Sequence, residues 1–206
     1  MRVCDDSKVY VVAPAAVATG GPELLHQLGY HLRYMMGLDA YMFYQPPDHP
    51  SPVHEEYKMY NVPYVDEVED KRKNLIIVPE VTGLMKVMDD YKRIRKMIWW
   101  LSIDNFYISK FGKESPIRNY FYYRVNFFAR RVLNTEIFDI PEIVMNHYKN
   151  YDLKNDKTVS SAHLHLAQSY YALQHLKNHN LNVAYLSDHL NEKFLKKSQT
   201  WTKKKI

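Results

Sequence analysis

The strongest constraint on the fold is the stretch of residues 8–26, KVYVVAPAAVATGGPELLH. A β-branched run and a small-residue loop lead to Gly20 and Gly21, and an apolar-periodic segment opens with Pro22 and Glu23. This order predicts a strand, a glycine turn and a helix, because proline suits the first helical turn and the helix dipole favours a carboxylate there. The unpaired N–H groups of a helix start, beside glycines that let a ligand approach, predict an anion site.

A plainer interpretation of this loop stays open. Paired glycines also occur wherever a chain turns tightly after a strand, so Gly20, Gly21, Pro22 and Glu23 either contact a ligand or only form a turn. The loop matches neither G-x-G-x-x-G nor G-x-x-x-x-G-K-[ST]. The standard dinucleotide site and the P-loop are therefore disfavoured.

The length and the termini predict one cytoplasmic domain. A chain of 206 residues is long enough for one sizeable core and short for two α/β domains. No apolar run approaches the roughly 20 residues that span a bilayer. The first ten residues lack the apolar region of a secretory signal, and Cys4, the single cysteine, has no partner for an internal disulfide.

The positive charge of the chain is confined to its C-terminus. The net charge is +5, and residues 1–195 balance to zero. The remaining charge belongs to five lysines: Lys196, Lys197, Lys203, Lys204 and Lys205. A short basic tail is weak evidence for a polyanion, so no nucleic acid is predicted as a partner. We interpret residues 1–197 as the domain, and residues 198–206 as a basic tail or the start of a linker.

Short apolar runs alternate with segments of helical periodicity. The predicted strands lie at residues 9–12, 39–44, 74–80, 96–105, 162–168 and 182–188. The predicted helices lie at residues 23–36, 83–90, 169–178 and 189–197, with a short helix or turn near 55–60. This alternation predicts a Rossmann-like α/β fold, with an open, mostly parallel sheet covered by helices on both faces. Residues 106–157 are predicted to be a helical, less regular insertion.

Two local expectations accompany this fold. Thr82 is predicted to cap the helix at 83–90, because threonine is a favoured N-cap residue. Trp99 and Trp100 are predicted to lie on opposite faces of the sheet, because successive strand side chains alternate.

Polar candidates follow the predicted strands, where ligands bind in sheets of this kind. They are Gly20, Gly21, Glu80, Ser102, Asp104, Asn105, Gln168, Ser169, Ser187 and Asp188. Asp104 is the main acidic candidate, because a carboxylate past a central strand can orient a sugar hydroxyl or act as a base. Helix capping is the alternative role of Asp104, and Glu80 carries the same ambiguity.

A metal site is not predicted. His163 and His165 are expected on one face of a strand, two residues apart. Two histidines without a third ligand make a poor zinc site, and the chain has no H-E-x-x-H or C-x-x-C pattern.

Residues 118–133 have the pattern of an amphipathic helix. Its apolar stripe is predicted to consist of Phe121, Val125, Phe128, Ala129 and Val132. The outer face combines aromatic side chains with arginines: Arg118, Tyr120, Tyr123, Arg124, Phe127, Arg130 and Arg131. One hypothesis is that this face contacts an anionic membrane, at the inner side of the cytoplasmic membrane. The alternative is a helix that packs on its own domain.

Six blocks of the sequence, in order, resemble a known family. They are APAAVATGGPELLHQLGYHLR, DAYMFY, NLIIVPE, IWWLSIDNF, HLAQSYYA and YLSDHLNEKF. Together they resemble the N-terminal, acceptor-side domain of bacterial GT-B-type glycosyltransferases from capsule and lipopolysaccharide biosynthesis. The blocks cover most of the chain, and residues 106–157 match least.

The resemblance implies two Rossmann-like domains that face each other across a cleft. It implies that Gly20 and Gly21 face the phosphates and sugar of a nucleotide-sugar donor, and that Ser102, Asp104 and Asn105 contact the acceptor or take part in catalysis. The donor is a substrate, so no tightly bound cofactor is expected. The acceptor is a surface polysaccharide or a lipid-linked glycan. The donor-binding C-terminal domain is expected elsewhere, in the same chain or in a partner.

Two functions therefore remain open. The first is the acceptor-side half of a glycosyltransferase, which needs the donor-binding half because proximity and phosphate neutralisation both depend on it. The second is a Rossmann-like module that binds a glycan or a partner without catalysis.

Overall fold

Strand β1 (Lys8–Pro14) forms the centre of the fold. The computed structural model describes residues 6–114, 116–139 and 151–187, and within residues 111–120 it describes no side chains. The five residues 9–13 in the middle of β1 are buried, as the run of β-branched and aromatic side chains predicts. Parallel partners pair with β1 on both edges, so its backbone is fully enclosed in the sheet.

Six parallel strands form one open sheet in the order β2-β1-β3-β4-β5-β6. The other strands are β2 (Asp39–Gln45), β3 (Leu75–Pro79), β4 (Arg95–Trp100), β5 (Leu164–Ala167) and β6 (Val183–Tyr185). The α-helices are α1 (Gly20–Tyr30), α2 (Thr82–Met85), α3 (Ile103–Glu114), α4 (Pro116–Leu133), α5 (Lys157–Ser160) and α6 (Tyr170–Asn178). This architecture confirms the predicted Rossmann-like α/β fold.

Shorter helical turns connect these elements. A π-helical turn, His31–Met35, extends α1, and 3₁₀ helices lie at Glu55–Tyr60, Lys86–Asp90 and Leu153–Asn155. The chain leaves β1 toward β2 on one side and later returns to place β3 on the other side. The strand order therefore reverses between β1 and β3, and the carboxyl ends of these strands form the switch point where α/β sheets bind ligands.

Each face of the sheet has its own core. On the α1 face, Val9 and Val11 pack with Leu25 of α1. On the α3 face, Tyr10 and Val12 belong to the cluster that includes helices α3 and α6. Trp99 lies on the α1 face and Trp100 on the α3 face, which confirms the predicted alternation.

Several strands are shorter than predicted. Strand β4 ends at Trp100 rather than at Asn105, because Asn105 already belongs to helix α3. Strand β5 begins at Leu164, so His163 precedes it, and β6 covers only Val183–Tyr185. The predicted helix at 189–197 lies outside the described residues.

Thr82 does not cap the helix that it opens, so this prediction was wrong. Val81 occupies the N-cap position and Thr82 is the first helical residue. The Oγ1 atom of Thr82 is buried and has no hydrogen-bond partner among the described residues.

The predicted apolar stripe of α4 was wrong for three of its five members, and only Ala129 is fully buried as predicted. Phe121, Phe128 and Val132 are exposed, whereas Asn126 and Ala129 are buried. Asn126 is buried because its side-chain oxygen accepts the backbone N–H of Phe138 at 2.9 Å, and its amide donates to the carbonyl of Phe138 at 2.7 Å. A polar anchor to the following segment thus decides which side of the helix is covered.

The described helices include none that is both long enough and apolar enough to cross a bilayer.

Gly29→Ala is expected to destabilise the domain by about 1–2 kcal/mol, although alanine is the better helix former. A Cβ atom at Gly29 would lie 2.9 Å from Sδ of the fully buried Met42 and 3.4 Å from Val62. Urea unfolding measures this loss.

Gly83→Ala is the matched control, because nothing lies within 4 Å of a Cβ atom at Gly83 in α2. This variant is expected to be neutral or slightly stabilised. Equal destabilisation of the two variants would contradict the packing described here.

Candidate functional site

The first turn of α1 lies at the carboxyl edge of the sheet and is open. The side chain of Thr19, at the N-cap position, makes no capping hydrogen bond to the helix, so the helix start lacks a side-chain cap. A Cβ atom at Gly20 would meet nothing within 4 Å, and one at Gly21 would meet only Leu101 at 3.6 Å. Backbone N–H groups at such a start, with free space beside them, suit a phosphate or carboxylate.

Tyr57 holds the loop before α1 in place. Its hydroxyl donates to the carbonyl oxygen of Thr19 at 2.9 Å and accepts the N–H of the same residue at 3.0 Å. Tyr57 belongs to the 3₁₀ helix Glu55–Tyr60, and its side chain is buried. A single phenol therefore satisfies both backbone groups of the residue that precedes the helix.

His26 and Tyr44 form a buried group of contacts next to Tyr57. The ring of His26 stacks on Tyr57 with 4.3 Å between the centroids. Its Nδ1–H donates to the carbonyl of Pro22 at 2.7 Å, so its Nε2 accepts the hydroxyl of Tyr44 at 2.8 Å. Burial lowers the pKa of His26, which keeps the imidazole neutral for these roles.

Sequence reasoning missed His26, Tyr44 and Tyr57. The one signal in the sequence was the count of 18 tyrosines, which does not show where a phenol is buried. Pro22 and Glu23, which were predicted to contact a ligand, form hydrogen bonds with neighbouring side chains of the protein. The carbonyl of Pro22 accepts from His26, and the carboxylate of Glu23 accepts from the hydroxyl of Tyr60.

Glu80 connects the carboxyl ends of β3 and β4. Its carboxyl oxygens accept the backbone N–H of Leu101 at 3.0 Å and of Ser102 at 3.2 Å. The side chain is almost fully buried, with 1% exposed. Burial raises the pKa of Glu80 to about 7, although the two N–H donors favour the ionised form. Glu80 therefore fixes the turn that leads into α3.

Asp104 is the accessible carboxylate of this edge. It lies in the first turn of α3, where the helix dipole favours negative charge. The hydroxyl of Tyr171, on α6, donates to Oδ1 of Asp104 at 3.4 Å. Burial and then the carboxylate of Asp104 raise the pKa of Tyr171, so its hydroxyl stays protonated. A partly exposed carboxylate with one weak partner can accept a hydrogen bond from a sugar hydroxyl.

The other predicted residues of this edge have local roles or lie open to solvent. The hydroxyl of Ser102 accepts the N–H of Asn105 at 3.3 Å, and the hydroxyl of Ser169 accepts the N–H of Ala172 at 3.1 Å. Both are N-cap contacts. The backbone N–H of Gln168 donates to the carbonyl of Trp100 at 3.1 Å. Asn105 and Ser187 are exposed, and Asp188 lies outside the described residues.

The two histidines near β5 have separate partners. Nδ1 of His163 accepts the N–H of Lys96 at 3.1 Å, and Nδ1 of His165 accepts the indole N–H of Trp100 at 3.0 Å. Burial lowers the pKa of His165 to about 4. Within the part of the chain that the structure describes, no three His, Cys, Asp or Glu residues form a metal-binding group.

Two sets of contacts therefore make up the edge. The first joins the carboxyl ends of β3 and β4 through Glu80 and the backbone of Leu101, whose side chain lies near Gly21 of α1. The second joins α3 to α6 through Asp104 and Tyr171. Comparisons with models of protein families, with curated proteins and with solved structures found no match to this chain. The function is therefore argued from the residues themselves.

The stability of the domain is expected to depend on the protonation of Glu80. Its pKa of about 7 in the folded state exceeds the ordinary value of 4.5, so its contribution is fully present below pH 4.5. As the pH rises from 4.5 toward 7, the carboxyl ionises in the unfolded chain but stays protonated in the folded one, and this difference lowers the free energy of unfolding by about 3 kcal/mol.

Glu80→Gln is expected to remove this pH dependence, because an amide does not ionise. It is also expected to destabilise the domain at low pH, since the amide nitrogen cannot accept a backbone N–H. Urea unfolding across pH 4–8 measures both effects. Glu67→Gln, at an exposed position, is the control. A constant difference between Glu80→Gln and the unaltered protein across this range would contradict the assignment.

Proposed function

We propose that this chain is the acceptor-side domain of a glycosyltransferase, which moves a sugar from a nucleotide-sugar donor to a surface polysaccharide or a lipid-linked glycan. The observation that supports it most is the uncapped first turn of α1, with open space at Gly20, at the switch point of the sheet. This is where α/β proteins bind phosphate-bearing ligands.

The proposed roles of the edge residues follow from their positions. The N–H groups at Gly20 and Gly21 face the donor phosphates, and Asp104 orients or deprotonates an acceptor hydroxyl. Glu80 acts as a positioning residue, because its carboxyl is occupied by the backbone N–H groups of Leu101 and Ser102. The resemblance of the six sequence blocks to GT-B enzymes supports the same assignment. A second, donor-binding domain is part of this proposal.

A module that binds a glycan or a partner without catalysis is the second candidate function. The observation in its favour is that Asp104 already accepts a hydrogen bond from Tyr171 and lies in the first turn of α3, where acidic side chains often serve the helix alone. The two candidates differ in whether a sugar is transferred.

Gly20→Asp is expected to abolish binding of UDP, used as the probe, while the domain stays folded. An added carboxylate would repel the phosphates, but it has room at this position and is favoured by the helix dipole. Titration followed by amide NMR should show UDP shifting the signals of Gly20 and Gly21 at concentrations up to about 10 mM.

Gly83→Asp is the matched control, because it places the same charge in the first turn of α2, where a Cβ atom also meets nothing. It is expected to bind UDP like the unaltered protein. Unchanged UDP binding in Gly20→Asp, or no shift of the glycine signals, would exclude the phosphate role.

A second experiment separates the two candidate functions and requires the donor-binding half. Sugar transfer that is lowered by Asp104→Asn would support the transferase. Glycan binding without sugar transfer would support the non-catalytic module.

We further propose that α4 contacts an anionic membrane through its exposed aromatic and basic side chains. Tyr123 and Phe127 are both more than half exposed, and Arg124 and Arg131 are exposed residues of the same helix, with Arg124 lying over the ring of Phe128. Arg130 is paired with Glu136, and the side chains of Arg118 and Tyr120 lie outside those described. Such a combination of aromatic rings and cations is typical of interfacial helices.

Arg124→Glu combined with Arg131→Glu is expected to reduce sedimentation with vesicles that contain phosphatidylserine, because each basic residue contributes about 1 kcal/mol near an anionic surface. Lys177→Glu with Lys154→Glu, at exposed positions on other elements, is the control. Binding that is the same with neutral and anionic vesicles would exclude this contact.

A further inference from the structure

A cavity of about 610 Å³ lies beside the edge strand β2, between α1 with its π-helical turn and the segment 53–64. This volume lies within the range of about 300–1,000 Å³ that is typical of small-molecule sites. Its lining includes four tyrosines, Tyr34, Tyr44, Tyr57 and Tyr64, together with the polar residues Arg33, Lys58 and Asn61.

Tyrosines dominate the walls of this cavity. Tyr34 and Tyr64 are 47% and 48% exposed and offer accessible rings, whereas Tyr44 and Tyr57 are buried. The ring of Tyr34 is held in place, because its hydroxyl donates to the backbone carbonyl of Asn61 at 2.6 Å. Fixed aromatic faces with polar tips suit a ligand that has both apolar C–H faces and hydroxyl groups.

The charged groups of the cavity are already balanced. Nη1 of Arg33 lies 3.5 Å from Oδ1 of Asp39, and Nζ of Lys58 lies 2.5 Å from Oε2 of Glu55. Each cation keeps further N–H groups for an uncharged hydroxyl oxygen, since arginine has five donors and lysine has three. This balance favours a neutral, hydroxyl-rich ligand over a phosphate or a carboxylate.

We propose that this cavity binds a neutral saccharide unit, with its ring in contact with the rings of both Tyr34 and Tyr64 and its hydroxyls bonded to Arg33, Lys58 and Asn61. This site is distinct from the carboxyl edge, and it does not depend on the proposed glycosyl transfer. It is nevertheless connected to that edge, because Tyr57 lines the cavity and its hydroxyl holds Thr19 at the start of α1.

The test uses three probes, lactose, cellobiose and N-acetylglucosamine, with amide NMR of the full chain. At least one probe is expected to shift the signals of Lys58, Asn61 and Tyr64 in a saturable manner. Tyr34→Ala and Tyr64→Ala are each expected to weaken that binding at least about fivefold, because each removes one aromatic face. Both rings are half exposed, so these variants are expected to fold.

Tyr123→Ala is the matched control, because Tyr123 is 53% exposed but lies on α4, outside the cavity. It is expected to bind the probe like the unaltered protein. Gly20→Asp is also expected to leave saccharide binding unchanged, which separates this site from the phosphate role proposed for α1.

Three results would overturn the proposal. One is that none of the three probes shifts the cavity signals at about 20 mM, an upper limit for weak ligands. Another is that the double variant Tyr34→Ala, Tyr64→Ala binds a probe as tightly as the unaltered protein. The third is that UMP, a nucleotide with an anionic group, shifts the cavity signals whereas the saccharides do not.

Discussion

The burial of strand β1 on both of its faces determines the rest of the structure. Residues 9–13 are almost completely excluded from solvent, and parallel neighbours occupy both edges of the strand. A strand buried in this way needs a helical layer on each face, which α1 provides on one side and α3 with α6 on the other. Ligands can then reach the sheet itself at the strand ends or beside an outer strand. The carboxyl edge and the cavity next to β2 are two such places.

Glu80 shows how burial can outweigh hydrogen bonding. Two backbone N–H groups point at its carboxyl oxygens and favour the ionised form, yet loss of water around the buried group raises its pKa to about 7. Here the two bonds join β3 to β4 and set the direction in which α3 begins. Glu80 thus positions the turn that carries Asp104, which remains accessible.

The sequence predicted the parts of the fold that depend on local pattern. The alternation of apolar runs was enough for six strands, for the parallel sheet and for the opposite faces of Trp99 and Trp100. It failed where a distant group decides the outcome. The buried side of α4 depends on the bonds of Asn126 to Phe138, and the role of Thr82 depends on the position of Val81. Neither feature can be predicted from hydrophobic periodicity.

The candidate site was predictable to a similar extent. Strand ends and glycines placed Gly20, Glu80 and Asp104 at one edge, because all carboxyl ends of a parallel sheet meet there. The stack of His26 on Tyr57 was not predictable, since the two residues are 31 positions apart and lie in two different helices. Such pairs depend on tertiary packing, which one sequence does not reveal.

The chemistry of the edge also separates two kinds of reaction on sugars. Hydrolysis of a glycosidic bond usually needs two carboxyl groups that flank the bond, one as an acid and one as a base or nucleophile. Among the candidate carboxyl groups that the structure describes, Glu80 is buried and bonded to the backbone, and Glu23 accepts the hydroxyl of Tyr60. Asp104 is the more accessible group, with the hydroxyl of Tyr171 at 3.4 Å. Transfer from a nucleotide-sugar needs less, because the phosphate leaving group is stabilised by N–H groups and one base suffices for the acceptor hydroxyl. The proposed transfer therefore requires only the open start of α1 and the carboxylate of Asp104, whereas hydrolysis would require a second carboxyl group free to flank the bond.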